Sequence, residues 1–562
     1  MPSLRAALSD LATRELDLLV IGGGITGAGI LRDAAMRGLS VGLVEQGDFA
    51  AGTSSRSSRL IHGGLRYLEH YQWRLVFEAL RERAVLLRIA PHLVRPITFV
   101  VPAYRGDRIP RWKLAAGLGL YGLLAIGGNV ARPRMFGKAG LLILEPGLRV
   151  RGLRGGGLYH DAQCDDARLV IATLRSGLTH GGRAANYARV TGLVSEGGKV
   201  VGVEAHDLLT GDRATIRARA VINATGPWVD TLRRMEDPGV PALLRLSSGA
   251  HVVVPRDRLG HTNAITFTSS VDGRVMFILP WGSLSYIGTT ETDFTRSPEQ
   301  VTASQEEVRY LLRSANALFP QAHLGEEDVL ATWAGVRPLL AGHPNVPAGA
   351  VSREHRIVRG SQGMITVAGG KLTTYRRMAA ETVAMALSGL PPDAAAQYRE
   401  APPTDWEPLP GGESAVFDPF IQTGLDLGLP PATVERLVHR YGTETAAVYN
   451  LIREDRRLLQ PIHPDHLAIG AEVVQVTRRE LAVRVEDVLD RRIHLGTETG
   501  DGGRAAAPAV AALMGRELGW DADRIAREAA PPPPGTATAE PPDRVSFPGL
   551  SLGSDPEGTG VL

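Results

Sequence analysis

The chain is predicted to adopt an α/β fold: a dinucleotide-binding domain assembled from discontinuous segments, an inserted mixed-sheet substrate domain and a C-terminal all-helical domain. Three observations carry that expectation. Near the N-terminus an apolar hexapeptide runs straight into a glycine-rich turn and a helical stretch, which is the order of a buried parallel strand, its turn and its helix. Far down the chain, Ala220-Val-Ile-Asn-Ala-Thr-Gly226 and Val367-Ala-Gly-Gly370 repeat the form of an apolar strand ending in small residues. Beyond Leu409-Pro-Gly-Gly412, helical periodicity takes over, with Val474, Val476, Leu481, Val483, Val485 and Val488 set among charges.

The bulk properties agree. At 562 residues the chain is too long for one core. With 44% hydrophobic and 22% charged residues it reads as soluble and globular, which excludes full-length disorder, a collagen-like chain and a polytopic membrane protein. The single cysteine, Cys164, excludes a disulfide scaffold and any multi-cysteine zinc or iron–sulfur site; it reads as structural, and no metal is expected. A net charge of +2 gives no bias towards nucleic acid. Only Lys113, Lys138, Lys199 and Lys371 among the 62 basic residues are lysine, so a lysine here calls for a local reason.

Taken in order, Met1 to Leu16 lacks a cleavable apolar core, so no secretory signal is expected. Leu16-Asp-Leu-Leu-Val-Ile21 is the first strand, followed by Gly22, Gly24 and Gly27 in the pattern G-x-G-x-x-G, with Thr26 inside it. The first glycine permits the tight turn, the second lets backbone approach a pyrophosphate, and the third packs helix on strand, the signature of a Rossmann-like unit. The diphosphate would rest on N–H groups at the positive helix end. The second apolar run ends at Glu45, 21 residues past Gly24, where a carboxylate accepts ribose hydroxyls and repels a 2′-phosphate. This cradle alone leaves NAD and FAD open.

The next segment points to a flavin. Thr53, Ser54 and Ser55 begin a hydroxyl-rich loop that runs into His62, Gly63 and Gly64, and a ribityl chain and isoalloxazine edge need such donors at close backbone approach. Ala224 and Gly226 end the second strand-like stretch; Gly370, Lys371, Leu372 and Thr373 end the third and open a helix. A helix N-terminus aimed at the flavin N1–C2=O edge stabilises the anion left after hydride uptake.

Leu114 to Gly128 is weakly polar but falls short of the roughly 20 residues that span a bilayer. Its basic and aromatic flanks fit either a segment lying in a membrane interface or a buried helix with a solvated collar. The tail after Ala530 is rich in Pro, Gly, Ser and Thr and is expected to be disordered.

The blocks GGGITGAG, TSSRSSRLIHGGLRYLEHY, APHLVRP, CDDARLV, NATGPWV, HVVVPR, IGTTETDF, AGVRPLL and GGKLTTYR, in order from Leu16 to Arg377, resemble the FAD-dependent glycerol-3-phosphate dehydrogenases of the membrane-associated, quinone-reducing kind. The resemblance implies non-covalent FAD, oxidation of sn-glycerol 3-phosphate to dihydroxyacetone phosphate by hydride transfer from C2 to flavin N5, and delivery of electrons to a membrane quinone. It implies a cytoplasmic protein attached peripherally to the inner-membrane surface and leaves a homodimer open. By motif position, Arg337, Arg353 and Arg66 are candidates for the substrate phosphate, with Tyr67, Thr289 and Thr290 as further contacts. His251, expected to open an apolar strand, and Lys371 are alternative proton acceptors, and His62 is read as a flavin contact. The nearest rival is an oxidase of the same substrate forming hydrogen peroxide from oxygen; a more distant one is an FAD protein that binds a macromolecule, against which the balanced charge argues.

The expected division assigns 1–75, 150–230 and 350–395 to FAD binding and 76–149 and 231–349 to the substrate domain, with a membrane-facing segment at 105–138. Residues 400–528 form the helical domain and 529–562 the disordered tail.

Overall fold

The computed structural model describes residues 4–125, 128, 130–342, 354–390 and 395–530, and of His70 only the backbone. The fold is α/β, with two mixed sheets and a helical domain. Leu16–Ile21, buried at every position, pairs in parallel with Val41–Val44 on one side and Arg213–Asn223 on the other. Arg183–Ala185 and Ile365–Gly369 extend the parallel array, and His355–Arg359 closes one edge antiparallel. Strands covered on both faces need no polar alternation, which is why the first strand reads as a nearly unbroken apolar run. Helix Ile25–Arg37 packs on Asp166–Thr179 and on Tyr375–Leu387. The three helices thus come from widely separated parts of the chain, as the discontinuous domain requires.

The second sheet is ten-stranded. Towards one edge lies Leu244–Pro255, paired with Leu284–Gly288 on one side and Ala331–Leu340 on the other. His251 therefore lies well inside a strand instead of opening one. Val94–Tyr104 pairs antiparallel with Leu153–Cys164 over nearly their whole length, and Leu60–Ile61 adds to the far side. This corrects the expected division: 153–164 and 60–61 belong to the substrate sheet, although the sequence put both with the FAD-binding segments. Their pairing partner is remote in sequence, and local pattern does not encode it.

Helix Arg111–Leu124 turns Leu114, Leu118 and Tyr121 inward and leaves Trp112 and Leu123 exposed. Among the described residues no helix is long and apolar enough to cross a membrane.

The C-terminal helices, from Asp418–Asp426 to Ala522–Ala529, close around Val434, Leu437, Val448, Val474 and Val510. Buried ion pairs dock them on the first domain: Arg492 to Asp48 at 2.7 Å, Arg168 to Glu480 at 2.8 Å and His494 to Asp165 at 2.8 Å. Leu409–Gly412, a Pro- and Gly-rich stretch that reads as a linker in the sequence, is a packed strap, with Leu409 buried and its N–H donating to the Ile89 carbonyl at 2.8 Å. The tail expected to be disordered lies outside the described residues from 531 onwards.

Candidate active site

The glycine turn is closed by backbone. Gly22 has φ +111°, and a Cβ there would press on the Ala224 carbonyl; one on Gly27 would press on the carbonyl of Gly22. Gly24 caps helix Ile25–Arg37 without a side chain, leaving its N-terminus open to an anion, and Ser54 Oγ accepts the Ile25 N–H at 3.0 Å. Glu45 accepts N–H groups of Gly23 at 2.6 Å and Gly47 at 2.8 Å. Burial pushes its pKa up while these two donors oppose the shift. With about four lone-pair sites on a carboxylate, capacity remains for ribose hydroxyls. Thr26 and Ser55 are half-buried beside the turn, and Thr53 donates to the Val336 carbonyl at 2.6 Å. Ala224 and Gly226 close the neighbouring strand end, the Ala224 N–H reaching the Ile21 carbonyl at 2.9 Å and Gly226 turning at φ +56°. A cradle with no room for a Cβ and an open helix end fits the diphosphate of a dinucleotide.

The flavin-side residues converge from both ends of the chain. The His62 N–H donates to Thr373 Oγ1 at 3.2 Å, and the Gly63 N–H to the hydroxyl of Tyr121 at 2.9 Å. Tyr121 is anchored on buried Asp161, which also pairs with Arg83. Gly64, at φ +82°, turns the loop into Leu65–His70. Lys371 precedes the turn Leu372–Thr374, which leads into helix Tyr375–Leu387, and Gly370 before it has φ +85°.

A cavity of about 450 Å³ opens beside this junction. Ser58, His62, Arg66, Thr289, Thr290 and Arg337 are among its polar lining residues. Leu65, Leu68, Val101, Ile109, Leu114 and Leu120 are among its apolar ones. Arg337 is held by the carbonyls of Ser248 and Thr290, each at 3.2 Å, and by Thr289 Oγ1 at 2.7 Å; it lies over Gly249, where a side chain would collide with the guanidinium. The Lys371 ammonium lies 3.8 Å from the Tyr67 ring centroid, with Arg66 5.9 Å from the same ring.

His251 does not line the cavity. It is buried behind Ser58, whose Oγ lies 2.9 Å from Nε2, and its ring stacks on Trp333 at 4.8 Å. Burial, then Arg337 and Arg59, lower its pKa to about 3. Arg353 lies outside the described residues. Cys164 is buried, and burial holds its thiol well above the usual range, which suits packing and not reactivity. Sequence reasoning passed over Ser58, which sits in a run of serines, and Trp333, whose part depends on a contact across the sheet.

The family model described as FAD dependent oxidoreductase matches residues 17–376, and that of the C-terminal domain of alpha-glycerophosphate oxidase matches 403–525. The aerobic glycerol-3-phosphate dehydrogenase of Staphylococcus haemolyticus is 37% identical over 86% of this chain and 87% of its own. Glycerol-3-phosphate dehydrogenase 2 of Mycobacterium tuberculosis is 38% identical over 94% and 89%. The crystal structure of the Bacillus halodurans glycerol-3-phosphate dehydrogenase complexed with FAD superposes with a TM-score of 0.76 at 32% identity, covering 93% of this chain and 94% of that one. FAD is the cofactor named by the family model over 17–376 and by the Bacillus halodurans structure, the glycine cradle fits its diphosphate, and the chain belongs to the FAD-dependent glycerol-3-phosphate dehydrogenase family.

Proposed function

We propose that the protein oxidises sn-glycerol 3-phosphate to dihydroxyacetone phosphate and passes the electrons to a membrane quinone while docked peripherally on the cytoplasmic membrane. Bound FAD supplies the two-electron acceptor, taking the C2 hydride at N5. The observation that carries the reading is a cavity beside the junction of the 62–64 and 370–373 segments, with the fixed guanidinium of Arg337 and a set of apolar side chains in one lining. A phosphate monoester carries nearly two charges, and Arg337, held in place by Thr289 and two carbonyls, sets a fixed positive charge in the lining to meet it. Arg66 and Tyr67 border the same space, Lys371 contributes positive charge beside the flavin edge, and Arg353 is a further candidate for the phosphate. Gly22, Gly24, Gly27 and Glu45 take the ADP portion, and the segments 53–64 and 370–373 the flavin portion.

The apolar side chains of the lining suit an isoprenoid quinone, and the lining includes the exposed Trp73 and Lys113. The relatives' names support the substrate and the word aerobic a respiratory role. The match of 403–525 to an alpha-glycerophosphate oxidase domain supports a second reading, in which oxygen is the acceptor. One experiment separates them: the flavin is bleached anaerobically with sn-glycerol 3-phosphate, and reoxidation is timed with a soluble quinone and with air. Fast reoxidation by quinone alone is expected. Fast air reoxidation selects the oxidase, and a flavin that stays yellow removes the substrate.

A further inference from the structure

The side chain between the cavity and His251 is Ser58. Its Oγ is 2.9 Å from His251 Nε2, and Ser58 itself lines the cavity together with Arg337. The imidazole has no freedom to reach past it. Trp333 stacks on one side at an interplanar angle of 14°, and the ring lies against Gly288, where any Cβ would collide with it. His251 Nδ1 is buried and has no hydrogen-bond partner among the described residues. A histidine kept for packing would satisfy both ring nitrogens, because an unpaired buried polar atom costs about 1–3 kcal/mol. This one spends its single hydrogen bond on the hydroxyl that faces the cavity. The charged groups around it are Arg337 and Arg59; the carboxylates nearest that cluster, Asp166 and Glu498, are engaged by Arg59.

We propose that Ser58 is a catalytic residue, a proton relay that takes the substrate's C2 hydroxyl proton on Oγ while giving its own proton to His251 Nε2. The proposal rests on the sn-glycerol 3-phosphate reading. The substrate O–H bond and the original Ser58 O–H bond break; a new Ser58 O–H bond and an Nε2–H bond form. The C2–H electron pair leaves as hydride to the acceptor that FAD supplies, and C2–O becomes the carbonyl. Ser58 ends unchanged and His251 ends as imidazolium, stacked on the Trp333 face. Burial, and after it the two arginines, keep the imidazole neutral beforehand, and a phosphate dianion beside Arg337 offsets that cation when substrate binds, so the ligand favours the relay that serves it.

The test is anaerobic rapid mixing of the holoenzyme with sn-glycerol 3-phosphate. Ser58→Ala is expected to slow flavin bleaching by about 10²–10⁴-fold with flavin content retained, and Ser58→Thr to restore most of the rate. The double variant Ser58→Ala, His251→Gln should be no slower than the slower single one, because the pair acts as a unit. Ser58→Ala bleaching near the parent rate, or losses that multiply in the double variant, overturns the relay. A parent enzyme that does not bleach overturns the substrate reading and the relay together, so the two failures are told apart. A proton inventory on the parent needs no variant: two protons in flight bow the plot of rate against deuterium fraction, and a straight or flat plot overturns the relay. Independently of turnover, ¹⁵N-histidine spectra of the full chain should show His251 neutral, with Ser58→Ala moving its Nε2 resonance; an unmoved resonance overturns the hydrogen bond on which the relay depends.

Discussion

Arg59, buried beneath Trp281, Tyr286 and Trp333, pairs at 3.6 Å with Glu498 of the C-terminal domain. Glu498 also accepts the Trp281 indole N–H at 2.9 Å and meets His466 at 3.1 Å. Burial favours its neutral form, but His466 and Arg59 more than offset that and lower its pKa. Arg59 follows Ser58 in the chain, and Trp333, one of its three rings, stacks on His251. The helical domain therefore braces the wall behind the cavity. Truncation of a buried ion pair typically costs about 3–5 kcal/mol, since the partner charge is left unpaired. Glu498→Ala should lower the unfolding free energy by that much, move the denaturation midpoint down with it, and slow flavin bleaching, even though Glu498 touches no substrate. An unchanged midpoint would remove the brace.

Arg337→Ala should raise KM for the phosphorylated substrate and lower kcat/KM about ten- to a hundredfold, the loss of one charge-assisted contact at about 1.5–3 kcal/mol. Arg337→Lys should recover little, because three acceptors fix a planar fork that an ammonium cannot imitate. If glycerol and glycerol 3-phosphate lose activity in equal proportion, Arg337 is not the phosphate ligand.

Flavin retention tests the cradle. Glu45→Ala removes the acceptor of the Gly23 and Gly47 N–H groups together with the ribose contact, and the protein should lose FAD on dialysis. Gly27→Val drives a side chain into the Gly22 carbonyl and should prevent loading altogether. Full flavin absorbance after dialysis of the Glu45 variant would overturn the ribose role.

The cradle could be read from sequence because its constraints are local: a positive φ at Gly22, a close approach at Gly27 and an acid at the end of the next strand all lie within about thirty residues, the span of one βαβ unit. The catalytic wall could not. Ser58 and His251 are 193 positions apart, and nothing at either position signals that they share a hydrogen bond. Leu153–Cys164 was misplaced for the same reason, since its partner strand is set by register with Val94–Tyr104. Glu498 looks like a charge on a solvated helix until the packing puts Arg59 beside it.

Stability should fall as the solution is acidified below about pH 6.5, the ordinary histidine range. Burial holds His92 and His251 down to about 3, and His261 and His439 to about 4. Between those values and 6.5 the unfolded chain binds protons that the folded one refuses, so stability rises with pH across the window by up to about 1.4 kcal/mol per pH unit for each such histidine. Asp487 acts in the opposite sense: burial and Asp48 raise it to about 6, and it gains a proton in the folded state as pH drops through that value. Glu45, Asp161 and Asp166, also raised by burial, act in the same sense as Asp487 but from an ordinary value near 4, so the histidines dominate the upper part of the window. Melting temperatures from pH 7.5 to 5 should decline, and His92→Gln should flatten the slope; a flat profile for the parent would contradict the burial of these rings.

Helix Arg111–Leu124 offers a test of membrane attachment that leaves the chemistry alone. Trp112, Ala116, Gly119 and Leu123 follow helical spacing along its exposed side, opposite the inward Leu114, Leu118 and Tyr121. Trp112 is 74% exposed and Leu123 61%, and exposed Phe77 and Trp73 lie on the helix Trp73–Ile89 that packs against it. Arg111 and Lys113 sit exposed at the helix start, where each basic residue near an anionic surface contributes about 1 kcal/mol. An apolar stripe with a cationic end is the arrangement of a helix lying in an interface. Trp112→Ser combined with Leu123→Ser should abolish co-sedimentation with phosphatidylglycerol vesicles and slow reduction of a membrane quinone. Neither residue lines the cavity, so anaerobic bleaching by sn-glycerol 3-phosphate should be unchanged. Added salt should weaken vesicle binding of the parent protein by screening the basic end while leaving the apolar contribution. Undiminished sedimentation of the double variant would mean that another face meets the lipid, and the cavity lining at Trp73 and Lys113 would then face water instead of the quinone's own phase.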